Sequence, residues 1–490
     1  MKKHKYVALT SVLAILTAAF ALFGLMLFTA AFVYRWSQLA TVDGARYDLI
    51  NVEDNLINVI TIITIFLMIF FLLIMVLRQV EKMRHPDTIM VTLEYVDEHG
   101  NRIRRMQEIQ VPKVEKGPDG EPKKKKDSGD RFQKLILLDK QYPKKEYVTS
   151  TEDLTLEYLC RRFRSFASRI AGNPLYYSID DIRRFVAALG VTKIMILQGM
   201  SGTGKTSLPV AWGKFTRVPT TVVPVQPMWK ERSDLIGYFN EFTGKFNESM
   251  ILEKLYEANK TNRIYLIVLD EMNIARVEYY FAEFLSLLEL PTVDERILEV
   301  TSSISKKDPK ELHNGKLILP DNVYFIGTAN NDDSTFAISD KVYDRSMVMN
   351  LDYRCDPFIG EDDYDPITIS DDTLKALFTK AQQEYALTKR GRSHIKEFDK
   401  YLSEIFQVTF GNRIRRQIEK YVPIYIACGG TEEEALDDIL AKKVLRKLES
   451  QNPIYIKAKA DDLINKMSEI FGKDKTPVCE AVIRKLANNS

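Results

Sequence analysis

The stretch Gly199-Met-Ser-Gly-Thr-Gly-Lys-Thr206 fills every fixed position of the pattern G-x-x-x-x-G-K-[ST], and it narrows the fold of this chain more than any other feature. An apolar, β-rich run, Lys193 to Leu197, leads into it, and a helix-compatible run, Ser207 to Lys214, leads out. Pro209 suits the first turn of such a helix, where a missing N–H has no intrahelical partner to lose. In a strand–loop–helix of this kind Gly199, Ser201, Gly202, Thr203, Gly204 and Ser207 form a loop whose backbone N–H groups close around a β-phosphate at the helix N-terminus. Lys205 supplies charge to the β- and γ-oxygens, and Thr206 a hydroxyl to Mg²⁺. The expected ligands are therefore ATP or GTP and Mg²⁺.

At 490 residues the chain is too long for one compact core, so two or three folded units are expected. Lys+Arg (69) and Asp+Glu (67) nearly cancel, leaving no global basic field to attract nucleic acid. The cysteines Cys160, Cys355, Cys428 and Cys479 form no C-x-x-C pair and read as buried thiols of a reducing compartment. The histidines are scattered, so the only metal inferred is Mg²⁺ held with the nucleotide, at Thr206 and Asp270.

Val7 to Val33 and Leu56 to Leu77 are long, mainly apolar stretches, each sufficient to cross a bilayer. Lys2, Lys3 and Lys5 precede the first, and Arg78, Lys82 and Arg84 follow the second, which directs both ends to the cytoplasm. The first stretch also has the basic start of a cleaved signal peptide, although it is longer than a usual apolar region of that kind. The expectation is a transmembrane hairpin over 1–84 and a multi-pass protein of the bacterial inner membrane, in contact with the lipid bilayer. Residues 85–150 read as a small β-containing module and a charged linker: Met90 to Val96 alternates, Arg102 to Val111 can return as a second strand, and Lys113 to Asp130 cannot bury enough apolar surface to order itself.

Downstream of the phosphate loop, Ile264 to Leu269 is an almost wholly apolar run that ends on Asp270 and Glu271. Such a run reads as a central parallel strand buried on both faces, with its ligands at the C-terminal edge. Asp270 would hold Mg²⁺ through its water shell, and Glu271 would orient and polarise the water that attacks the γ-phosphorus. A further apolar run, Val323 to Gly327, leads to Asn330, a neutral amide able to bond the attacking water or the γ-phosphate. Asp340 to Arg345 can form a short helix presenting Arg345, whose guanidinium could reach a neighbouring subunit's γ-phosphate.

This combination resembles the AAA+ family of ring-forming NTPases, within it the clade of McrB and the MoxR-type chaperones. The matching words are Gly199 to Thr206, Leu269-Asp-Glu-Met-Asn273 with a helix over Ala275 to Leu290, Ile326-Gly-Thr-Ala-Asn330 and Asp344-Arg345; Val225 to Gly237 follows the McrB-like style. The resemblance implies an α/β fold: a P-loop AAA+ parallel-sheet core at 151–360 and an α-helical lid at 361–490, preceded by the two membrane helices and the β module. It also implies a homo-oligomer, a six-membered ring in which Arg345 acts in trans, and an inserted hairpin over Glu295 to Leu319 facing the pore. Within the lid, Gly411-Asn-Arg413 resembles a second sensor whose arginine touches the γ-phosphate of its own subunit, with Arg415 and Arg416 competing for that role. The lid itself is legible without the resemblance, as helices over Asp371–Lys389, Ile395–Gln407, Arg413–Ala427 and Glu432–Leu448, the last opened by a Thr431-x-x-Glu434 capping box.

The chain departs from DNA-restricting relatives in its front segment, which contains no DNA-reading motif, so no direct nucleic-acid binding is expected. The function expected is an NTP hydrolase, with ATP the commoner choice, that remodels a protein client. The alternative is a nucleotide-controlled scaffold for a separate effector such as a nuclease in antiviral defence.

Overall fold

The computed structural model describes the backbone of 88–96 and 102–110 and residues 130–150, 154–330, 335–352 and 355–488, with Phe66, Phe70 and Ile74 besides. The chain divides into two compact units, Met1–Asp127 and Ser128–Ser490. In the first, β1 (Thr88–Val96) pairs antiparallel with β2 (Arg102–Gln110), Thr88 opposite Gln110 and Val96 opposite Arg102.

The two transmembrane helices expected within 1–84, and the multi-pass membrane placement built on them, are not supported: no helix among the described residues is long and apolar enough to cross a membrane. Apart from Phe66, Phe70 and Ile74, both stretches lie outside the described residues, as does most of the charged linker. The long helices that are described fail as spans because of charge. The helix Pro453–Phe471, for example, carries Lys457, Lys459, Asp461, Asp462, Lys466 and Glu469. Charges of this kind cost about 2.5–3.5 kcal/mol each at a bilayer centre.

The second unit opens with α1 (Lys134–Gln141), within the 85–150 stretch expected as a β module and charged linker. It belongs to the core of the nucleotide fold. Phe132 stacks on Phe246 with ring centroids 4.9 Å apart, and the Glu248 carboxylate accepts the N–H groups of Gln133, Lys134 and Leu135 at the helix start. Next come α2 (Leu156–Ser168) and α3 (Ile179–Leu189), each opened by a side-chain cap, Thr155 and Ser178. The central part of the chain then runs β3 (Ile194–Gly199), α4 (Ser207–Thr216), β4 (Thr220–Pro224), α5 (Arg232–Ile236), β5 (Gly237–Asn240), β6 (Lys245–Glu248), α6 (Met250–Ala258) and β7 (Tyr265–Asp270). It continues through α7 (Val277–Tyr280), α8 (Ala282–Leu287), β8 (Ile297–Glu299), β9 (Lys316–Ile318), β10 (Val323–Asn330), α9 (Asp340–Arg345) and β11 (Met347–Asn350). The C-terminal helices are α10 (Asp371–Glu384), α11 (Lys389–Phe406), α12 (Asn412–Ala427), α13 (Glu432–Lys443), α14 (Pro453–Phe471) and α15 (Pro477–Asn488).

Five strands form a parallel sheet in the order β11-β3-β10-β7-β4. Its central strands β3, β10 and β7 are apolar over most of their length because alternate residues enter two different cores. Ile194, Ile196, Tyr265, Ile267, Val323 and Phe325 face one, with α1 and α6. Met195, Leu197, Leu266, Tyr324 and Ile326 face the other, which continues without a break into the C-terminal helices through Phe378, Ile424 and Leu436. The capping box of α13 forms as its sequence predicts, but the helix ends at Lys443 and passes into a 3₁₀ segment, Leu445–Ser450. The helix expected over Ala275 to Leu290 is broken into α7 and α8, and Glu295 to Leu319 holds the short antiparallel pair β8–β9.

Helix α4, which starts at the phosphate loop, is anchored by Trp212, fully buried and edge-on to Phe163 and Phe185 at 5.1 and 5.7 Å. Trp212→Ala should therefore cost about 3–5 kcal/mol. Urea unfolding would check this; a loss under about 1 kcal/mol would mean that the aromatic cluster closes over the gap.

Candidate functional site

The phosphate loop lies between β3 and α4, at the C-terminal edge of the sheet. Two of its glycines are required by geometry. Gly199 has φ +144°, and a Cβ there would stand 2.2 Å from Leu351 O; Gly204 has φ +93°, and a Cβ would meet the Tyr177 hydroxyl at 2.9 Å. Lys205 is 6% exposed and donates to Gly199 O at 2.9 Å and Met200 O at 2.7 Å, so its ammonium sits inside the concavity of the loop. Tyr177 donates to Gly204 O at 3.0 Å. Burial, and then the Asp181 carboxylate, hold that phenol well above the usual tyrosine range, so it stays protonated as a donor.

Strand β7 delivers both acids to the same edge. Thr206 Oγ1 does not cap α4; it donates to Asp270 Oδ1 at 2.7 Å. Thr328, from the adjacent β10, donates to the same oxygen at 2.9 Å and accepts the Glu271 N–H at 2.9 Å. Glu271 itself is left-handed, with φ 55° and ψ 48°, a conformation that non-glycine residues adopt at a cost and that turns its side chain out of the strand direction. Asn330 Nδ2 donates to Glu271 Oε1 at 2.6 Å, and Asn330 Oδ1 is buried with no partner among the described residues. Asn273 Nδ2 donates to Asn330 O at the end of β10 and to Thr335 Oγ1, both at 2.9 Å.

Lys205, Thr206, Asp270, Glu271 and Asn330 are thus brought to one sheet edge. Sequence reasoning quoted Thr328 and Asn273 within motif words but gave them no role, and it passed over Tyr177. Thr328 was detectable, since it precedes Asn330 by two on one strand and so shares its face; Tyr177 carries no local signal. Thr328→Val keeps the shape but strips Asp270 and the Glu271 N–H of a partner, at about 1–3 kcal/mol. We expect nucleotide turnover to fall by about tenfold or more for that loss. Steady-state hydrolysis checks it, and an unchanged rate would make Thr328 a mere strand filler.

The site suits Mg²⁺. A hydroxyl and a carboxylate oxygen 2.7 Å apart are hard donors, and among the described residues no group of three or more His, Cys, Asp and Glu offers an all-protein cage. Thr206 and Asp270 would hold such an ion together with groups from outside the protein, a condition that suits Mg²⁺.

Arg345 and Arg413 lie elsewhere. Arg345 Nε donates to Glu289 Oε2 at 2.8 Å, and Arg413 reaches the same carboxylate at 2.6 Å through Nε and 3.0 Å through Nη2. Arg345 directly precedes β11, which runs parallel to β3, so it stands at the edge opposite the phosphate loop. The six residues of β3 put roughly 20 Å between them, at about 3.3 Å per residue. Arg413 shares that edge, and the structure does not bring it to its own chain's loop. Of its competitors, Arg415 pairs with Asp399, while Arg416 lines a groove of about 740 Å³ with Lys193, Glu289, Arg345 and Arg413.

Residues 194–346 match the family described as AAA domain (dynein-related subfamily), and residues 367–490 match a domain of unknown function (DUF8727). Over 183 residues the chain is 25% identical to the type IV methyl-directed restriction enzyme EcoKMcrB subunit of Escherichia coli (strain K12), covering 36% of this chain and 39% of that protein. The chain thus spans about two-fifths of that relative's length. Among solved structures, a Cytophaga hutchinsonii protein named provisionally as an ATPase has TM-score 0.39 and 13% identity, covering 68% of this chain and 96% of that one. A full-length MCM homolog from Methanopyrus kandleri has TM-score 0.33 and 12% identity, covering 60% and 61%. Both superpositions are too loose to say more. The strand order, the phosphate loop and the family match define an AAA+ ATPase-like domain. That domain is similar to McrB.

Proposed function

We propose that the chain hydrolyses a nucleoside triphosphate at the β3–α4 loop, and that a second copy completes the site. The observation that carries this reading is the contact of Thr206 with Asp270, with Glu271 next in sequence and bonded to Asn330. The loop N–H groups and Lys205 bind the β- and γ-phosphates. Glu271 orients the attacking water, and Asn330 fixes the carboxylate that does so. Thr206 and Asp270 would hold Mg²⁺, which would supply positive charge against the negative charge that develops in the reaction. Arg345 lies too far from its own loop to assist, so it serves a neighbouring copy, which suits a closed ring. The base stays open between adenine and guanine, with ATP the commoner choice.

The output in this reading is mechanical work on a protein partner. A second reading, nucleotide-controlled support of a separate effector, is favoured by the similarity to a protein named as a subunit of a restriction enzyme. Hydrolysis of ATP and GTP by the full chain, compared with Lys205→Ala, tests the shared core of both. Equal rates in the two chains would discard it. What co-purifies with a Glu271→Gln chain then separates them: an extended client peptide for the first, a stoichiometric partner for the second.

A further inference from the structure

Helix α9 is only six residues long and ends on Arg345, and a helix so short leaves its last carbonyls without partners inside it. The C-terminal helices supply partners for Tyr343 O and Asp344 O and for Ser346 O just beyond the helix, while Arg345 Nη1 donates to Lys341 O at 3.0 Å. Lys443 Nζ, at the end of α13, donates to Tyr343 O and Ser346 O. Gln417 Nε2, from α12, donates to Asp344 O at 3.0 Å. At the other end of α9, Arg446 pairs with Asp340 Oδ1 at 2.9 Å and lies over the Tyr343 ring, 3.2 Å from its centroid.

Lys443 is 4% exposed. Burial pulls its ammonium down to about 7, against the opposing pull of the Asp344 carboxylate. Taking a lysine this far out of water is expensive, and an apolar side chain of the same length would fill the space at less cost. The position it occupies accounts for the choice: the Nζ donors match two converging carbonyls at the C-terminal end of α9.

We propose that Lys443, with Gln417, is a positioning residue for Arg345: it fixes the C-terminal turn of α9, so that the guanidinium is presented at a set place on the sheet edge and moves with α13. The inference rests on the reading of Arg345 as the group that completes a neighbouring copy's site. Lys443 and Gln417 bond α9 and Ser346 and no residue of the phosphate loop; one link runs from Gln198, next to Gly199, whose Nε2 donates to the Tyr343 hydroxyl, so nucleotide affinity is expected to survive loss of the clamp.

The test uses the full chain, with Lys443→Met, Gln417→Ala and Arg345→Ala, alone and combined. Binding of a fluorescent ATP analogue and single-turnover hydrolysis are measured for each. Lys443→Met should bind the analogue as the parent does and hydrolyse about 10² times more slowly, the loss typical of a displaced catalytic group. Combined with Arg345→Ala, it should cost nothing further, since the two act as a unit. A folded Lys443→Met chain with the parent's rate, or one that slows Arg345→Ala further, overturns the proposal. Should Lys443→Met fail to fold, Gln417→Ala, which removes the bond to Asp344 O alone, carries the same comparison. Parental hydrolysis by Arg345→Ala would instead refute the reading of Arg345 itself.

Discussion

Glu271→Gln is expected to bind nucleoside triphosphate as tightly as the parent chain and to hydrolyse it roughly 10² to 10⁴ times more slowly. The substitution is close to isosteric, and the amide oxygen can still accept from Asn330 Nδ2, which holds Oε1 at 2.6 Å. What disappears is the negative charge that polarises water. Asp270, which faces Thr206 and Thr328, is untouched, so affinity should survive. The two quantities must therefore separate. Isothermal titration and steady-state phosphate release read them independently: loss of binding would place Glu271 in the cradle, and retained turnover would leave it without a chemical task.

Arg345→Ala should have a comparable or larger effect through a different route, about 10³- to 10⁵-fold on turnover, again with binding intact. Its guanidinium is a sheet's length from its own phosphate loop, so no defect in the cradle can account for such a loss. Its present partner is informative. One carboxylate, Glu289, is held by both Arg345 and Arg413, and a planar anion between two guanidinium forks is bound as a phosphate oxygen pair would be. On the proposed reading, a neighbour's γ-phosphate would take the place of that carboxylate.

The parts of this architecture that were legible in sequence are those written in contiguous runs. The phosphate loop, the apolar strand ending in Asp270 and Glu271, and the strand ending at Asn330 are each set by neighbouring residues, because a buried parallel strand must be apolar on both faces. The capping box at Thr431 and Glu434 is equally local. Arg413 was not legible, since its partner is decided by how α12 packs against the sheet, and nothing near it in sequence encodes Glu289. Helix α1 was missed for a similar reason: its apolar residues, Leu135 to Leu138, are consecutive and mark no helical stripe, and it is fixed by Glu248, far along the chain. The membrane spans rested on hydropathy, length and flanking basic residues, and no helix among the described residues bears them out.

The central claim, that one copy grips the triphosphate and another completes the site, is tested most directly by mixing two inactive chains. Arg345→Ala retains a cradle and lacks the completing arginine; Lys205→Ala has the arginine and lacks the cradle. Each should be inactive alone, and mixing them should restore hydrolysis, because Arg345 of the Lys205→Ala copies reaches nucleotide on the others. A mixture that forms mixed oligomers by crosslinking yet stays as inactive as its parts would contradict the account.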